Sequence, residues 1–376
     1  MTQCIVLRRA TRLLISVRCT DVFQVPYGRT GGFEICTGAH LRSGGLPAAA
    51  VNRFLCTTES NTMAAVPESV SEEQRLVCAI IPPLYSERHK GQAGRIGVLG
   101  GSTDYTGAPY FAGMAALRTG ADLAYVLCPP CAATAIKSYS PELMVMPLPD
   151  TGGPEAAAEH ACEILPRLHA LVVGPGLGRA ESTRVLLKAV IEKARALSLP
   201  LVVDADGLHF VAQDPDLVRG YQRALLTPNA AELERLCNSV LGVRAAPPDR
   251  AEAARQLARG LGHATVLAKG AEDFVTDGRV SLRCREQGSP RRCGGQGDIL
   301  SGAAATMMYW SHGADVPAGD GASAGHVAPA PVAALGAAML VRRCSRLAFQ
   351  KMARSTLASD VLAELRTAFS ALFPVD

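Results

Sequence analysis

The residues with the most chemical content form one short run, Gly294-Gly295-Gln296-Gly297-Asp298, continued by Ile299-Leu300-Ser301-Gly302. Glycines at this density let the backbone turn tightly and approach a ligand closely. The small, apolar residues that follow predict a helix beginning at or near Asp298. The first turn of a helix has free N–H groups at the positive end of its dipole, so it binds anions. That suits phosphoryl transfer, where developing negative charge must be held in place. Asp298 would then take the proton of an attacking hydroxyl. A rival reading makes Asp298 an ordinary N-cap. It accounts for the acid but not for the Gly-Gly-Gln-Gly before it.

Other polar clusters are weaker one by one. Lys269-Gly270 could hold a transferring phosphate, or be a solvated strand end. Asn229-Ala230-Ala231-Glu232, after Pro228, has capping-box spacing, and on spacing alone the cap is the better reading. Asp204 and Asp206 flank one alanine. In extended backbone both would point the same way and share a metal or a substrate group, whereas an Asp-Gly turn explains only Asp206. Gly174-Pro175-Gly176-Leu177-Gly178 is a close-approach turn but not the GxGxxG fingerprint, and no GxxxxGK[ST] loop occurs. The eight histidines show no metal-ligand spacing. Cys128-Pro-Pro-Cys131 has redox spacing but no partner pair or histidine set, so it reads as small apolar residues at a strand end.

These clusters need a scaffold. Strand-type runs occur at Arg95–Leu99, Leu123–Cys128, Ala170–Val173, Leu201–Val203, Ala224–Leu226 and Thr265–Ala268. Helical stretches occur at Ala108–Thr119, Ser182–Ser198, Ala230–Asn238, Arg250–Gly260, Asp298–Trp310, Ala333–Ala353 and Asp360–Phe373. A short helix opens at Ser71 and closes before Pro82 and Pro83. Alternation of this kind predicts an α/β fold with a mostly parallel sheet covered on both faces. Ligands of such sheets lie beyond the carboxyl ends of the strands, and the Gly, Asp, Asn and Lys clusters fall at those ends. The Ala/Gly/Pro-rich stretch from Gly313 to Pro331 is expected to be a surface loop.

Residues 1–72 stand apart from the body at 73–376. Positions 1–58 hold seven arginines, no lysine and only Asp21 and Glu34 as acids. That composition is of the mitochondrial transit type, and a second start at Met63 predicts mitochondrial and cytoplasmic forms. A disordered or misassigned leader is the equal alternative. The net charge of +4 is concentrated there, so the body lacks the basic footprint of a nucleic-acid binder. The apolar run Arg12–Val17 is too short to span a membrane. Twelve cysteines spread singly along an α/β chain favour reduced thiols.

Taken in order, the segments HKGQAGRIGVLGGSTDYTGAPYFA (His89–Ala112), KSYSPELMV (Lys137–Val145), LHALVVGPGLGR (Leu168–Arg179), VVDADGL (Val202–Leu208), LTPN (Leu226–Asn229), AKG (Ala268–Gly270) and RRCGGQGD (Arg291–Asp298) resemble the eukaryotic ATP-dependent (S)-NAD(P)H-hydrate dehydratases. These enzymes belong to the ribokinase-like superfamily. The resemblance runs from about Val77 to Phe373. It implies a three-layer sandwich and ATP-driven dehydration of NADHX and NADPHX, which restores NADH and NADPH. Asp298 matches the family's base and a hydrate contact, and Gly295, Gln296 and Gly297 match its anion hole. Gly176, together with Asn229, Ala230, Ala231, Glu232, Leu233, Glu234 and Arg235, matches hydrate-binding positions. Lys269, Gly270, Ala271, Glu272 and Asp273 match one nucleotide-binding stretch. Gly288, Ser289, Pro290, Arg291, Arg292, Cys293, Gly294, Gly295, Gln296 and Gly297 match the other. The resemblance also implies Mg2+ with the ATP, near Glu232, and a separate epimerase in the pathway. Bacterial relatives have His-Pro-Gly-Glu where this chain has Asn229-Ala-Ala-Glu232. Two rivals stand beside this reading. One is a vitamin-precursor kinase of the same fold. The other is a dinucleotide-binding protein without turnover, which the presence of both Asp298 and Lys269 disfavours.

Overall fold

The computed structural model describes residues 71–243, 247–314 and 328–374. The leader and most of the Ala/Gly/Pro-rich stretch, for which a targeting segment and a surface loop were expected, lie outside the described residues. Nine strands form one sheet: β1 Arg95–Leu99, β2 Leu123–Cys128, β3 Leu143–Pro147, β4 Ala170–Val173, β5 Leu201–Val203, β6 Ala224–Leu226, β7 Thr265–Ala268, β8 Asp273–Thr276 and β9 Ser281–Cys284. Their order is β3-β2-β1-β4-β5-β6-β7-β8-β9. The pairs from β3 across to β7 are parallel, and the β7–β8 and β8–β9 pairs are antiparallel.

The helices are α1 Glu72–Cys78, α2 Gly107–Thr119, α3 Pro130–Tyr139, α4 Gly153–Ile164, α5 Glu181–Ala196, α6 Asp206–Gln213, α7 Ala230–Leu241, α8 Arg250–Gly260, α9 Gln296–Gly313, α10 Pro329–Met352, α11 Ala358–Ala363 and α12 Leu365–Leu372. Strand side chains alternate between the two faces. Ile96, Val98, Val172, Val202 and Leu267 pack with α2, α9 and α10, whereas Leu171, Val173, Leu201, Val203 and Leu226 pack with α5, α7 and α8. Both faces are covered, so the central strands are apolar throughout. The result is a three-layer sandwich, helices on either side of one mostly parallel sheet.

The six strands read from sequence have these same bounds. β3, β8 and β9 were not anticipated. β3 is an edge strand with a single neighbour, and β8 and β9 form a short hairpin with polar positions at the other edge, so none carries the doubly buried signature. The α3, α4 and α6 helices were also unread. The expected last helix breaks at Glu364 into α11 and α12; this carboxylate is buried and takes an ion pair from Lys351.

One helix sets the position of the chemistry. Most of α9, from Ile299 to Met308, is buried, as befits a helix apolar on nearly every side. At Gly302 a Cβ would lie 1.9 Å from the Ala112 carbonyl oxygen, so only glycine admits this close crossing of α2 and α9. Toward the other end, Trp310 Nε1 donates to the Ala93 carbonyl at 2.7 Å. With its body and far end fixed, α9 presents its first turn at the carboxyl ends of the strands. Cys128 is buried at the end of β2 and Cys131 is exposed on α3; both are free. Among the described residues no helix is long and apolar enough to cross a membrane.

Candidate active site

Helix α9 begins at Gln296, two residues before the expected start. Gly295 is its N-cap with φ +93°, a left-handed conformation that suits glycine. Asp298 is therefore the third residue of the helix, and the N-cap reading of this acid does not hold. The first helical bond runs from Ile299 N–H to the Gly295 carbonyl at 3.0 Å. The N–H groups of Gln296, Gly297 and Asp298 precede it and are free of helical partners. The Gln296 side chain donates backward to the Arg291 carbonyl at 3.4 Å, so this residue offers the site its backbone N–H.

Beneath this turn lies an ion pair. Lys269, at the end of β7, donates from Nζ to Asp204 Oδ1 at 2.9 Å, and Thr227 Oγ1 donates to the same oxygen at 2.6 Å. A Cβ on Gly297 would lie 3.6 Å from both Asp204 Oδ2 and Lys269 Nζ, so the first turn of α9 sits against the pair. Burial disfavours charge on Lys269. Asp204, Glu232 and Asp298 nevertheless hold its pKa above the ordinary lysine value. The Asp298 carboxyl is pushed up to about 7, first by burial and then by the negative charge of Asp204, against the pull of Lys269. A carboxyl so placed exchanges protons near neutrality, as a general base requires.

Asp204 and Asp206 do not converge, contrary to the extended-backbone expectation. Ala205 has φ +48° and ψ −117°, which turns the two side chains apart. Asp206 instead accepts from the Gly178 N–H at 3.0 Å and pairs with Arg179 Nε at 2.8 Å. The capping box at Asn229 is present. Asn229 N–H donates to Glu232 Oε2 at 2.8 Å, and Glu232 N–H donates to Asn229 Oδ1 at 3.0 Å.

A cleft of about 540 Å3 gathers these groups. Of the residues singled out from sequence, Asn229, Glu232, Lys269, Gly270 and Asp273 line it, as do Gly288, Ser289, Arg292, Cys293 and the whole run Gly294–Asp298. Others lie outside its lining. Ala230, Ala231, Glu234 and Arg235 are exposed on the first turns of α7, while Leu233 turns into the core. Ala271 and Glu272 form the turn between β7 and β8, where Glu272 accepts from Arg283 Nε at 2.7 Å. Pro290, which is exposed, and Arg291 also lie outside the lining. Gly176 has φ +62° and lies against Tyr105, in the loop after β4.

Sequence reasoning missed the α10 wall: Ala338, Val341, Arg342 and Ser345. Their spacing is that of one helical face, a signal that was legible but carried no motif. Arg342 pairs with Asp273 at 3.1 Å and donates to the carbonyls of Glu286 at 2.6 Å, Gly270 at 3.2 Å and Ala271. Asp273 also accepts from the Gly270 N–H at 2.8 Å. Arg342 and Asp273 together fix the loop after β7 and, through it, Lys269.

A family model described as NAD(P)H-hydrate dehydratase matches residues 96–367. The chain is 61% identical over 313 residues to an ATP-dependent (S)-NAD(P)H-hydrate dehydratase of Ixodes scapularis, covering 83% of this chain and 99% of that one. A relative of the same name from Bos taurus is 48% identical over 299 residues, covering 80% of this chain and 88% of its own. Among solved structures, the ADP/ATP-dependent NAD(P)H-hydrate dehydratase of Bacillus subtilis, co-crystallised with ATP/Mg2+, superposes with a TM-score of 0.58 at 22% identity. It covers 80% of this chain and 97% of that one, a likeness of fold.

Proposed function

The chain belongs to the NAD(P)H-hydrate dehydratase family, and we infer from this premise how its cleft performs the family's reaction. It is an ATP-dependent lyase that dehydrates the S-form of NADHX and NADPHX and returns NADH and NADPH. Hydroxide leaves a ring carbon poorly near neutral pH, whereas phosphate leaves well. The Asp298 carboxylate takes the proton of the ring hydroxyl as its oxygen attacks the γ-phosphorus of ATP. The bond to ADP breaks. The negative charge gathering on the transferring group rests on the N–H groups of Gln296 and Gly297 and on the Lys269 ammonium. The ring nitrogen then pushes its lone pair toward the carbon, the C–O bond breaks and phosphate departs. Loss of a proton from the adjacent carbon restores the ring double bond.

The observation that carries this reading is the placing of Asp298, with its raised pKa, in the first turn of a helix that sits against the Lys269–Asp204 pair. The nucleotide is assigned to the wall formed by Lys269–Asp273 and Gly288–Gly297. Magnesium fits as the ion that accompanies ATP. Glu232 lines the cleft, and only one of its oxygens is engaged in the cap. Mg2+ that accompanies a nucleotide is held mainly by phosphates and water, with one or two carboxylates from the protein. Glu232 would hold that ion, whose charge would offset that of the phosphates. The substrate's R-form calls for a separate epimerase. The arginine-rich, acid-poor stretch before Met63 supports a mitochondrial form beside a cytoplasmic one.

The test uses purified protein, ATP, magnesium and the S-form of NADPHX. Reduced-nicotinamide absorbance should rise only with ATP, with one inorganic phosphate released per NADPH formed. A stable phosphate ester with no rise in absorbance would instead establish a kinase of the same fold.

A further inference from the structure

A second cavity, of about 300 Å3, lies apart from the cleft at the carboxyl ends of β1 and β3. Its walls are Leu148, Leu177 and Leu186 with the rings of Pro149 and Pro154, around a floor at Leu99. At its edge stand the side chains of Asp150, Ser182 and Thr183, none of which has a hydrogen-bond or ion partner among the described residues. Flat apolar walls with a few uncommitted polar groups are the composition of a site for a heterocyclic base.

Its position is equally informative. The chain leaves β1 toward β2 and β3 on one side and returns as β4 on the other. This is the reversal point at which open α/β sheets bind ligands. Gly101, from the loop after β1, and Leu177, from the loop after β4, both line the cavity. Leu177 adjoins Gly176, a hydrate-binding position in the reading above. β1 and β6 are three strand spacings apart, about 14 Å at roughly 4.8 Å per strand. The cavity is thus too far from Asp298 to take any part of the reacting ring. The stretches assigned to ATP lie toward β7–β9, on the opposite side of Asp298.

The ground between is positively charged. Arg179 is 57% exposed and held by Asp206, while Arg235 on α7 has no carboxylate partner among the described residues. His209 on α6 feels both guanidinium groups. Burial first, and then Arg179 and Arg235, lower its pKa against the pull of Asp206. Two guanidinium groups against one carboxylate leave an unneutralised cation where a phosphate linker would pass.

We propose that this cavity seats the adenosine end of the dinucleotide hydrate, with the diphosphate crossing the Arg179–Arg235 ground and the damaged ring at Asp298. The assignment rests on the dehydratase reading and adds to it where the remote half of the substrate binds. Binding energy from that half serves to position the ring.

The test fills the cavity from opposite walls. Ala157→Phe, on α4, and Thr183→Phe, on α5, each direct a ring into the space. Thermal melts of both proteins establish that they remain folded. Kinetics are measured with NADHX and with hydrated reduced nicotinamide mononucleotide, which lacks the adenosine half. In the variants KM for NADHX should rise by about 10–100-fold, while KM for ATP and turnover of the mononucleotide stay as in the wild type. An unchanged KM for NADHX in two folded variants overturns the assignment, as does an equal loss with both substrates. Absence of ATP-dependent NADH formation by the wild-type protein would instead refute the dehydratase reading itself, and the assignment with it.

Discussion

Replacing Asp298 by Asn should strengthen the fold while abolishing turnover. In the folded protein the Asp298 carboxyl titrates near 7, against 3.8 for a free side chain. At about 1.4 kcal/mol per pH unit this displacement corresponds to roughly 4 kcal/mol. Asp298 is half-buried, so water reduces the figure, and about 2–4 kcal/mol is expected. The sign follows from the direction of the shift. Because the folded pKa is raised, the folded state holds its proton more tightly than the unfolded chain does. Stability from this group is present at low pH and is lost as pH rises through about 7. The wild type therefore carries the full penalty at about pH 8 and less than half of it at about pH 5. An uncharged Asn removes the penalty at nearly constant volume. Urea unfolding of both proteins at the two pH values measures the difference. Asp298→Asn should be the more stable at about pH 8, with the margin shrinking on acidification, while kcat falls by about 10²–10⁴-fold. A variant no more stable than the wild type at about pH 8, or a margin independent of pH, would refute the argument from burial and the Asp204 charge.

The same carboxyl predicts that wild-type kcat/KM declines as pH falls below about 7, tenfold per pH unit, because the base is then protonated; a flat profile down to about pH 5 would count against Asp298 as the base. Lys269→Met leaves Asp204 buried with only Thr227 as partner, so a loss of about 3 kcal/mol in stability should accompany the fall in kcat, read from denaturant midpoints. Arg342→Ala removes the tie between Asp273 and the carbonyls of Gly270 and Ala271. KM for ATP should rise by about tenfold or more with a smaller change in kcat, and a titration of initial rates against ATP checks this. Gly302→Ala drives a methyl into the Ala112 carbonyl and should lower stability by about 3 kcal/mol by thermal or chemical unfolding.

Much of this architecture is legible in the chain itself. Strands buried on both faces have almost no polar positions, so β1, β2, β4, β5, β6 and β7 appear as apolar runs with definite ends, and all of them but β2 are followed by Gly, Asp or Asn in the next loop. The run Gly294–Asp298 stands out through its glycines as the proposed anion site and through its acid as the proposed base. Edge strands give no such signal: β3 has one neighbour, and β8–β9 pair as a hairpin in which β8 buries the polar Asp273 and Thr276 while β9 exposes Ser281 and Arg283. Pairings of acids were also beyond spacing. Asp204 and Asp206 stand two residues apart, yet the backbone twist at Ala205 sends one to Lys269 and the other to Arg179. The sequence by itself determined the fold class, the strand ends where the polar clusters fall and the residue proposed as the base. Tertiary structure alone decided that Asp298 lies within the helix rather than at its cap, that Asp204 holds Lys269 beneath it, and that Arg342 on α10 secures the loop after β7. The reason is physical. Local pattern records how each residue meets water, whereas a pKa near 7 or an ion pair depends on charges brought together from distant parts of the chain.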